Sequence, residues 1–289
     1  MADYYNRQKG TIEKEKEVGG KAIEWLYQTS FGRLLLKLLV GPSFSNWKAK
    51  QNSKPSSAKK IADFVENYDI DLSEAEKDSF HSFNDFFTRK LKPTARLIDS
   101  NPQSVVAVCD GKLQVFPLNH QTQFTIKNSQ YSLLDIIQDE TLAETFKGGY
   151  CFVYRLSMDD YHRYIYPDGG RCLTEGRIKG KLHTVRPIAH EFVSVFSENT
   201  RHWQLLATQH FGQLLYMEVG AMLVGKIQNH GHSRFERGQE KGYFEYGAST
   251  IIVCYQKDKL KVAGDILRQS RAGVEVKVKL GEKVGEAYV

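Results

Sequence analysis

Three short segments hold the residue types from which acyl chemistry is built. Phe244-Glu245-Tyr246-Gly247-Ala248-Ser249-Thr250 places a hydroxyl after two small residues and runs into the apolar stretch Ile251-Ile252-Val253-Cys254-Tyr255. Glycine and alanine let the backbone bend there, and the β-branched residues stiffen the chain beyond the bend. Asp159-Asp160-Tyr161-His162-Arg163-Tyr164 sets a histidine among aromatic and charged residues directly after a β-rich run. Val108-Cys109-Asp110-Gly111-Lys112 puts a carboxylate at a strand-to-turn junction. Hydroxyl, imidazole and carboxylate are the types that serve as nucleophile, base and orienting acid. Each has an ordinary structural reading as well: a bulged strand with a hydrogen-bonded serine, a core histidine and an Asp-Gly turn. The chain order Asp110, His162, Ser249 differs from the common serine hydrolases, and Ser249 lacks a Gly-x-Ser-x-Gly elbow. A self-processing serine and a Ser-His-Asp hydrolase both stay open on these residues.

The elements that must position them change character along the chain. Residues 20–40 read as one or two helices broken near Gly32, with Gly41-Pro42 closing the segment and Gln51–Ser56 as a loop. Ser57 is placed to cap a helix reaching Tyr68, and Ser73-Glu74 to open another running to Phe83–Arg89. From about residue 104, β-rich runs succeed one another at Val105–Cys109, Lys112–Phe116, Gln123–Lys127, Tyr150–Leu156, Gly180–Arg186, Phe192–Phe196, Gln213–Val219 and Ser249–Gln256. Within this region Leu133–Thr145 reads as helix. The expectation is an α+β protein: a helical N-terminal module over residues 1–100 and a β-rich catalytic body over 101–289.

Composition bounds the function. At 289 residues, 41% hydrophobic and 26% charged, the chain is an ordinary globular protein of one or two domains. Cys109, Cys151, Cys172 and Cys254 lie far apart, with no zinc spacing, which suits reduced thiols in a cytosolic compartment and no metal. The net charge of +6 is carried by residues 1–60, with 12 Lys and Arg against 5 Asp and Glu; the remainder has 28 against 29. Trp25, Phe31, Leu34, Leu38 and Trp47 are interleaved there with Lys21, Arg33 and Lys37. No apolar run reaches the roughly 20 residues needed to span a bilayer. The pattern suits helices lying on an anionic membrane surface, or else packed on the protein's own core. A basic excess confined to one segment argues against nucleic acid.

Further motifs fall into one ordered set. Ser82-Phe83-Asn84-Asp85-Phe86-Phe87-Thr88-Arg89-Lys90-Leu91-Lys92, Asp110-Gly111, Asp160-Tyr161-His162-Arg163, Glu198-Asn199-Thr200-Arg201, the glycine segment Val219–Ile227 and Gly247–Thr250 succeed one another. Together they resemble the phosphatidylserine decarboxylases, pyruvoyl-dependent carboxy-lyases of phospholipid synthesis, over roughly residues 30 to 285. The resemblance implies a proenzyme that cuts itself between Ala248 and Ser249. Ser249 would become the pyruvoyl cofactor, which forms a Schiff base with phosphatidylserine and releases CO2 to leave phosphatidylethanolamine. Asp110, His162 and Ser249 are the implied catalytic residues, with His162 oriented by Asp110 as base and later proton donor.

The implied protein is peripheral on the cytoplasmic face of the cell membrane. Its fragments 1–248 and 249–289 stay paired, with a dimer of that heterodimer as a further option. Leu260–Val289 reads as a small lipoyl- or biotinyl-like β-sandwich without a modified lysine. Arg201 is a candidate for a phosphate, a carboxylate or an internal salt bridge, and Asn84, Phe86, Phe87 and Arg89 for the lipid entrance or for docking the helices. Two positions depart from the family pattern. Ile165 stands where a second histidine is often found, leaving the proton work to His162 alone or with help from Tyr161 or Tyr166. Ala248 replaces the usual glycine at the scissile bond, where its Cβ penalises positive φ. The alternative is an unprocessed lipid-binding relative without decarboxylase activity.

Overall fold

The computed structural model describes residues 3–16, 20–119, 121–126, 129–222, 226–247 and 249–288, and shows an α+β architecture. At its centre is a ten-stranded sheet. Its order is Arg234–Phe235, Gly170–Ile178, Arg201–Thr208, Gln213–Val219, Ser249–Tyr255, Tyr150–Leu156, Gly111–Pro117, Glu275–Val278, Asp3–Asn6 and Thr11–Lys14. The Ser249 strand is therefore interior, antiparallel to both neighbours and buried along its whole length. Its apolar run, like the largely apolar runs of Tyr150–Leu156 and Gln213–Val219, is what a strand covered on both faces requires. A three-stranded sheet, Ile227–Asn229, Glu240–Phe244 and Arg163–Ile165, carries the segments that lead to Ser249 and His162. A second one joins Leu260–Val262, Lys283–Ala287 and Ser104–Val106.

The N-terminal hundred residues are not wholly helical. Strands β1 (Asp3–Asn6) and β2 (Thr11–Lys14) form a hairpin on the edge of the large sheet, with β1 parallel to Glu275–Val278. Helices α1 (Gly20–Gln28) and α2 (Ser30–Leu39) break at Thr29, not at Gly32. The Thr29 hydroxyl caps α2 by accepting from Gly32 N at 3.0 Å and donates to Trp25 O at 2.9 Å. Gly32 serves close packing: a Cβ there would lie 2.5 Å from the Trp25 carbonyl oxygen. Pro42 opens a third helix, α3 (Pro42–Asn52), because proline at the first helical position loses no hydrogen bond.

A 3-10 turn, Pro55–Lys60, precedes α4 (Ile61–Tyr68). Ser57 caps no helix; its hydroxyl donates to Asn52 O and accepts from Phe83 N at 2.9 Å, tying α3 to α5 (Phe83–Phe87). The long helix expected from Ser73 is only a 3-10 turn, Leu72–Glu74, succeeded by irregular chain up to Ser82, which caps α5.

Other expectations change in the body. Gly180–Arg186 and Phe192–Phe196 are not strands. The Asn199 side chain satisfies both the N–H and the C=O of His183, so no ladder is needed, and Pro187 opens a 3-10 turn before the short helix Val195–Glu198. Leu133–Thr145 is two short helices, Leu133–Ile137 and Glu140–Glu144, broken at Gln138 with φ 57°. Val105–Cys109 shrinks to Ser104–Val106; Gln123–Lys127 is a strand to Ile126, with Lys127 outside the described residues. The C-terminal strands are divided between two sheets and interrupted by the helix Gly264–Arg271, so they do not close into a sandwich of their own.

Candidate active site

Ser249 opens its strand opposite Leu156 and is fully buried, and its hydroxyl has no hydrogen-bond partner among the described residues. The approach to it is held from the helical side. Asn84 Oδ1 accepts from Tyr246 N at 3.2 Å, and the Tyr246 ring meets Phe83 and Phe87 edge-on at 5.1 and 5.2 Å. Gly247 has φ 139°, a backbone state that L side chains rarely adopt. Ala248, the residue on the other side of the expected cut, lies outside the described residues.

His162 lies just before the strand Arg163–Ile165 rather than directly after one; the turn Ser157–Asp160 intervenes. Its backbone carbonyl accepts from Phe244 N at 3.0 Å, and its ring packs on Phe87 with centroids 4.2 Å apart. Nδ1 faces the Asp160 carbonyl at 2.8 Å, so in the neutral ring Nδ1 carries the proton and Nε2 the lone pair. Nε2 is buried and makes no hydrogen bond to a described residue, although the Gly247 backbone lies close enough to favour the charged ring. Burial lowers the pKa to about 4; the Asp160 charge works against this, and the Arg89 guanidinium adds to it. The structure thus sets a buried imidazole, with Nε2 unpaired among the described residues, beside the backbone two residues before Ser249.

Asp110 does not orient this ring. Arg96 grips its carboxylate: Nε donates to Oδ1 and Oδ2 at 2.9 and 3.0 Å, and Nη2 to Oδ2 at 2.7 Å. The Leu280 N–H donates to Oδ1 at 2.8 Å. The orienting acceptor of His162 is the Asp160 carbonyl, and Asp160 is itself fixed by Lys112. The Lys112 ammonium donates to Asp160 Oδ2 at 2.8 Å, and Ser157 N donates to the same oxygen at 2.7 Å. Lys112 is 1% exposed and also lies 3.6 Å from Glu15 and 3.8 Å from Asp159. Arg155 closes the cluster through Glu15 at 2.9 Å and Glu275 at 2.5 Å. Burial opposes the charge on Glu15, yet Arg155 and Lys112 hold its carboxyl down to about 2.

Sequence reasoning missed Arg96, Lys112, Arg155 and Glu15. Lys112 and Asp160 sit inside the chemistry-bearing motifs, but nothing local ties Glu15 to residues 97 and 140 positions away.

The remaining candidates divide. Ile165 packs with Leu91, Val106, Tyr161 and Leu280, an apolar group beside the N–H that holds Asp110. Tyr161 belongs to that group, while Tyr166 stacks on Phe235 at 3.9 Å. Arg201 forms no salt bridge among the described residues. It donates to the carbonyls of Ile136, Ser197, Asn199 and Asp135, and burial lowers its pKa to about 10. In the glycine segment, Glu218 forms a fully buried ion pair with Lys241, and Leu223, Val224 and Gly225 lie outside the described residues.

The sequence profile of the family described as phosphatidylserine decarboxylase matches residues 83–286, a span that holds Arg89, Asp110, His162 and Ser249. The phosphatidylserine decarboxylase proenzyme 2 of Clostridium acetobutylicum is 42% identical over 283 residues, covering 98% of this chain and 97% of the relative. The phosphatidylserine decarboxylase proenzyme of Desulfitobacterium hafniense is 41% identical over 295 residues, with 99% and 98% covered. That of Clostridium botulinum is 40% identical over 292 residues, with 99% of each covered.

Proposed function

This chain belongs to the phosphatidylserine decarboxylase family, and on that premise we propose that it makes its own reactive carbonyl by cutting itself before Ser249. The enzyme is a carboxy-lyase: phosphatidylserine is converted to phosphatidylethanolamine and CO2. The observation that carries the self-processing reading is that Ser249 Oγ and His162 Nε2 are both buried without a hydrogen-bond partner among the described residues, with the backbone of Gly247, two residues before Ser249, beside the His162 ring.

His162 Nε2 takes the hydroxyl proton as Oγ adds to the carbonyl of residue 248. The amide C–N bond breaks, the proton passes to the freed nitrogen, and an ester remains. Removal of the Ser249 α-proton then expels residue 248 as a carboxylate and leaves an enamine. Its imine tautomer is hydrolysed by water, which supplies the ketone oxygen, releases ammonia and leaves the new end of the small fragment as a pyruvoyl group. The site suits that product. The hydroxyl gives up no hydrogen bond to a described residue when it is lost, and the methyl that replaces it enters a fully buried position. The pyruvoyl group supplies an electrophilic carbonyl for the substrate amine and an electron sink for the carbanion left by CO2. His162, walled by Phe87, is the group we assign to the proton: neutral at pH 7, its Nε2 takes one from the substrate ammonium as the amine is freed to react and returns it to the carbanion after CO2 leaves.

The two fragments stay together through strand pairing. Ser249–Tyr255 lies between Gln213–Val219 and Tyr150–Leu156, and Glu275–Val278 between Gly111–Pro117 and Asp3–Asn6. Asp110 adds a tie to Leu280 of the small fragment. Membrane association belongs to α1–α3. Trp25, Phe31, Leu34, Leu38 and Trp47 are exposed there, Leu38 by 74%, while Leu36 and Val40 face the core. No helix among the described residues is long and apolar enough to cross a membrane, so the reading is attachment to the cytoplasmic surface through these side chains.

Intact mass spectrometry of the denatured protein tests the proposal. Two species are expected, one ending at Ala248 and one beginning with a pyruvoyl-blocked residue 249, with CO2 released from phosphatidylserine by the cleaved protein. A single full-length mass would remove self-processing and favour the lipid-binding alternative.

A further inference from the structure

Among the described residues, buried Lys and Arg side chains are compensated, with one exception. Lys112, Arg155 and Lys241 each pair with at least one carboxylate, and Arg201 is surrounded by four carbonyls. Arg89 is 8% exposed and has no carboxylate within 4.0 Å among the described residues. Its Nε is shut off from solvent without a partner, and Nη1 makes one long bond, 3.4 Å, to Phe86 O. The guanidinium lies over the Phe86 ring at 4.9 Å, which offsets only part of the cost of burying a charge.

The location is specific. Arg163 donates to Thr88 O and Arg89 O, fixing this segment beside His162, and Phe87 packs on the His162 ring. The charge of Arg89 is felt at His162, where it disfavours the protonated ring. A planar guanidinium whose Nε is unpaired and whose Nη1 is held by a single long bond, next to the proton-transfer residue, is suited to an oxyanion.

Resting on the decarboxylase reading, we infer that Arg89 binds the phosphodiester of the substrate headgroup. The substrate offers two anions, and the chemistry selects between them. The carboxylate leaves as neutral CO2, so a cation held against it would stabilise the ground state more than the transition state. The phosphodiester keeps its charge throughout, and binding it lends affinity and position without that cost. Arg89 would thereby read the feature that distinguishes a phospholipid headgroup from a plain serine ether.

The test compares wild type, Arg89→Met and Arg89→Lys on two soluble substrates, sn-glycero-3-phospho-L-serine and O-butyl-L-serine, which lacks the phosphate. Active sites are counted by the cleaved fraction in intact mass spectra. The ratio of kcat/KM for the two substrates should fall at least tenfold in Arg89→Met, chiefly through KM for the phosphate-bearing one, and by less in Arg89→Lys. An unchanged ratio, or equal losses on both substrates, would overturn the assignment. Binding of sn-glycero-3-phosphoethanolamine, measured by calorimetry, reads the same site without turnover, so it separates this inference from failure of the decarboxylase reading. At least tenfold weaker binding by Arg89→Met is expected, and equal affinities would refute it. Should Arg89→Met fail to fold, Arg89→Lys carries both measurements, with about threefold weaker binding expected and wild-type affinity overturning it.

Discussion

At the start of the strand Ser249–Tyr255, one face of the large sheet carries a cluster of paired buried charges and the other the unpaired Ser249 hydroxyl. Thr250 is paired with Arg155, and Arg155 with Lys112, so these side chains share one face. There Lys112 and Arg155 meet Glu15, Asp160 and Glu275 in a nearly closed set of charge-assisted bonds. Ser249 shares the other face with Leu156, and its hydroxyl is left unpaired. Buried polar groups usually find partners. An unpaired hydroxyl alone does not mark a site, since Tyr154, Thr250 and Tyr255 also carry one. What distinguishes Ser249 is its position two residues after Gly247, whose backbone lies against an equally unpaired His162 Nε2. On the self-processing reading proposed above, the charged cluster fixes geometry and the Ser249 face keeps atoms free to react.

The largest effect should come from breaking the Ser249 face. His162→Ala removes the base and should slow self-cleavage by roughly 10²–10⁴-fold, read as the fraction of full-length chain over time in intact mass spectra. Asp110→Asn sharpens the contrast. Because Arg96 and Leu280, not His162, hold that carboxylate, cleavage should slow less than about tenfold while the melting temperature falls. A His162-sized loss in Asp110→Asn would restore Asp110 as the orienting acid and refute the division of labour between the two faces.

The charged cluster should respond in stability. Lys112→Met keeps the stem and deletes the charge, leaving Asp160, Glu15 and Asp159 facing one another with only Arg155 to compensate. Breaking a buried pair in this way costs about 3–5 kcal/mol. For a chain of this size that corresponds to a fall in Tm of roughly 10 °C, measured by calorimetry on the uncleaved Ser249→Ala background. A Tm within about 2 °C of the parent would mean that the cluster is dispensable.

How far the sequence disclosed this arrangement depends on the range of each interaction. Tyr150–Leu156 and Gln213–Val219 are legible to the residue, because a strand buried on both faces reads as a nearly continuous apolar run. His162 and Ser249 are legible as types in motifs. The N-terminal hairpin is not. Asp3–Lys14 is polar and gains its strand state by docking on Glu275–Val278, far away in sequence. The substitution of Asp160 for Asp110 as the residue that orients His162 is equally invisible, because it works through a backbone carbonyl, and every residue has one. Phe192–Phe196 misleads for a related reason: Val195 and Phe196 fill the core from a short helix while Phe192 is exposed, and burial by itself does not select a strand.

The smallest effect separates the two faces by pH. His162 has a pKa lowered by burial from 6.5 to about 4, so the unfolded chain binds a proton more readily than the folded one between those values. Its contribution to stability is fully present above pH 6.5 and is lost as pH falls toward 4. Glu15 has a folded value lowered from 4.5 to about 2, so its contribution is intact above 4.5 and lost only below. The reactive face should therefore lose stability first on acidification, and the charged cluster later. Urea unfolding of Ser249→Ala and of Ser249→Ala with His162→Phe isolates the first window, since phenylalanine does not titrate and other histidines cancel in the difference. Relative to pH 7.5, the parent should lose about 1 kcal/mol more than the double variant at pH 5.5 and about 2–3 kcal/mol more at pH 4.5. Parallel curves would mean that His162 titrates near its ordinary value in the folded chain. It would then be partly protonated at neutral pH, and the base that starts self-cleavage would have to be sought elsewhere.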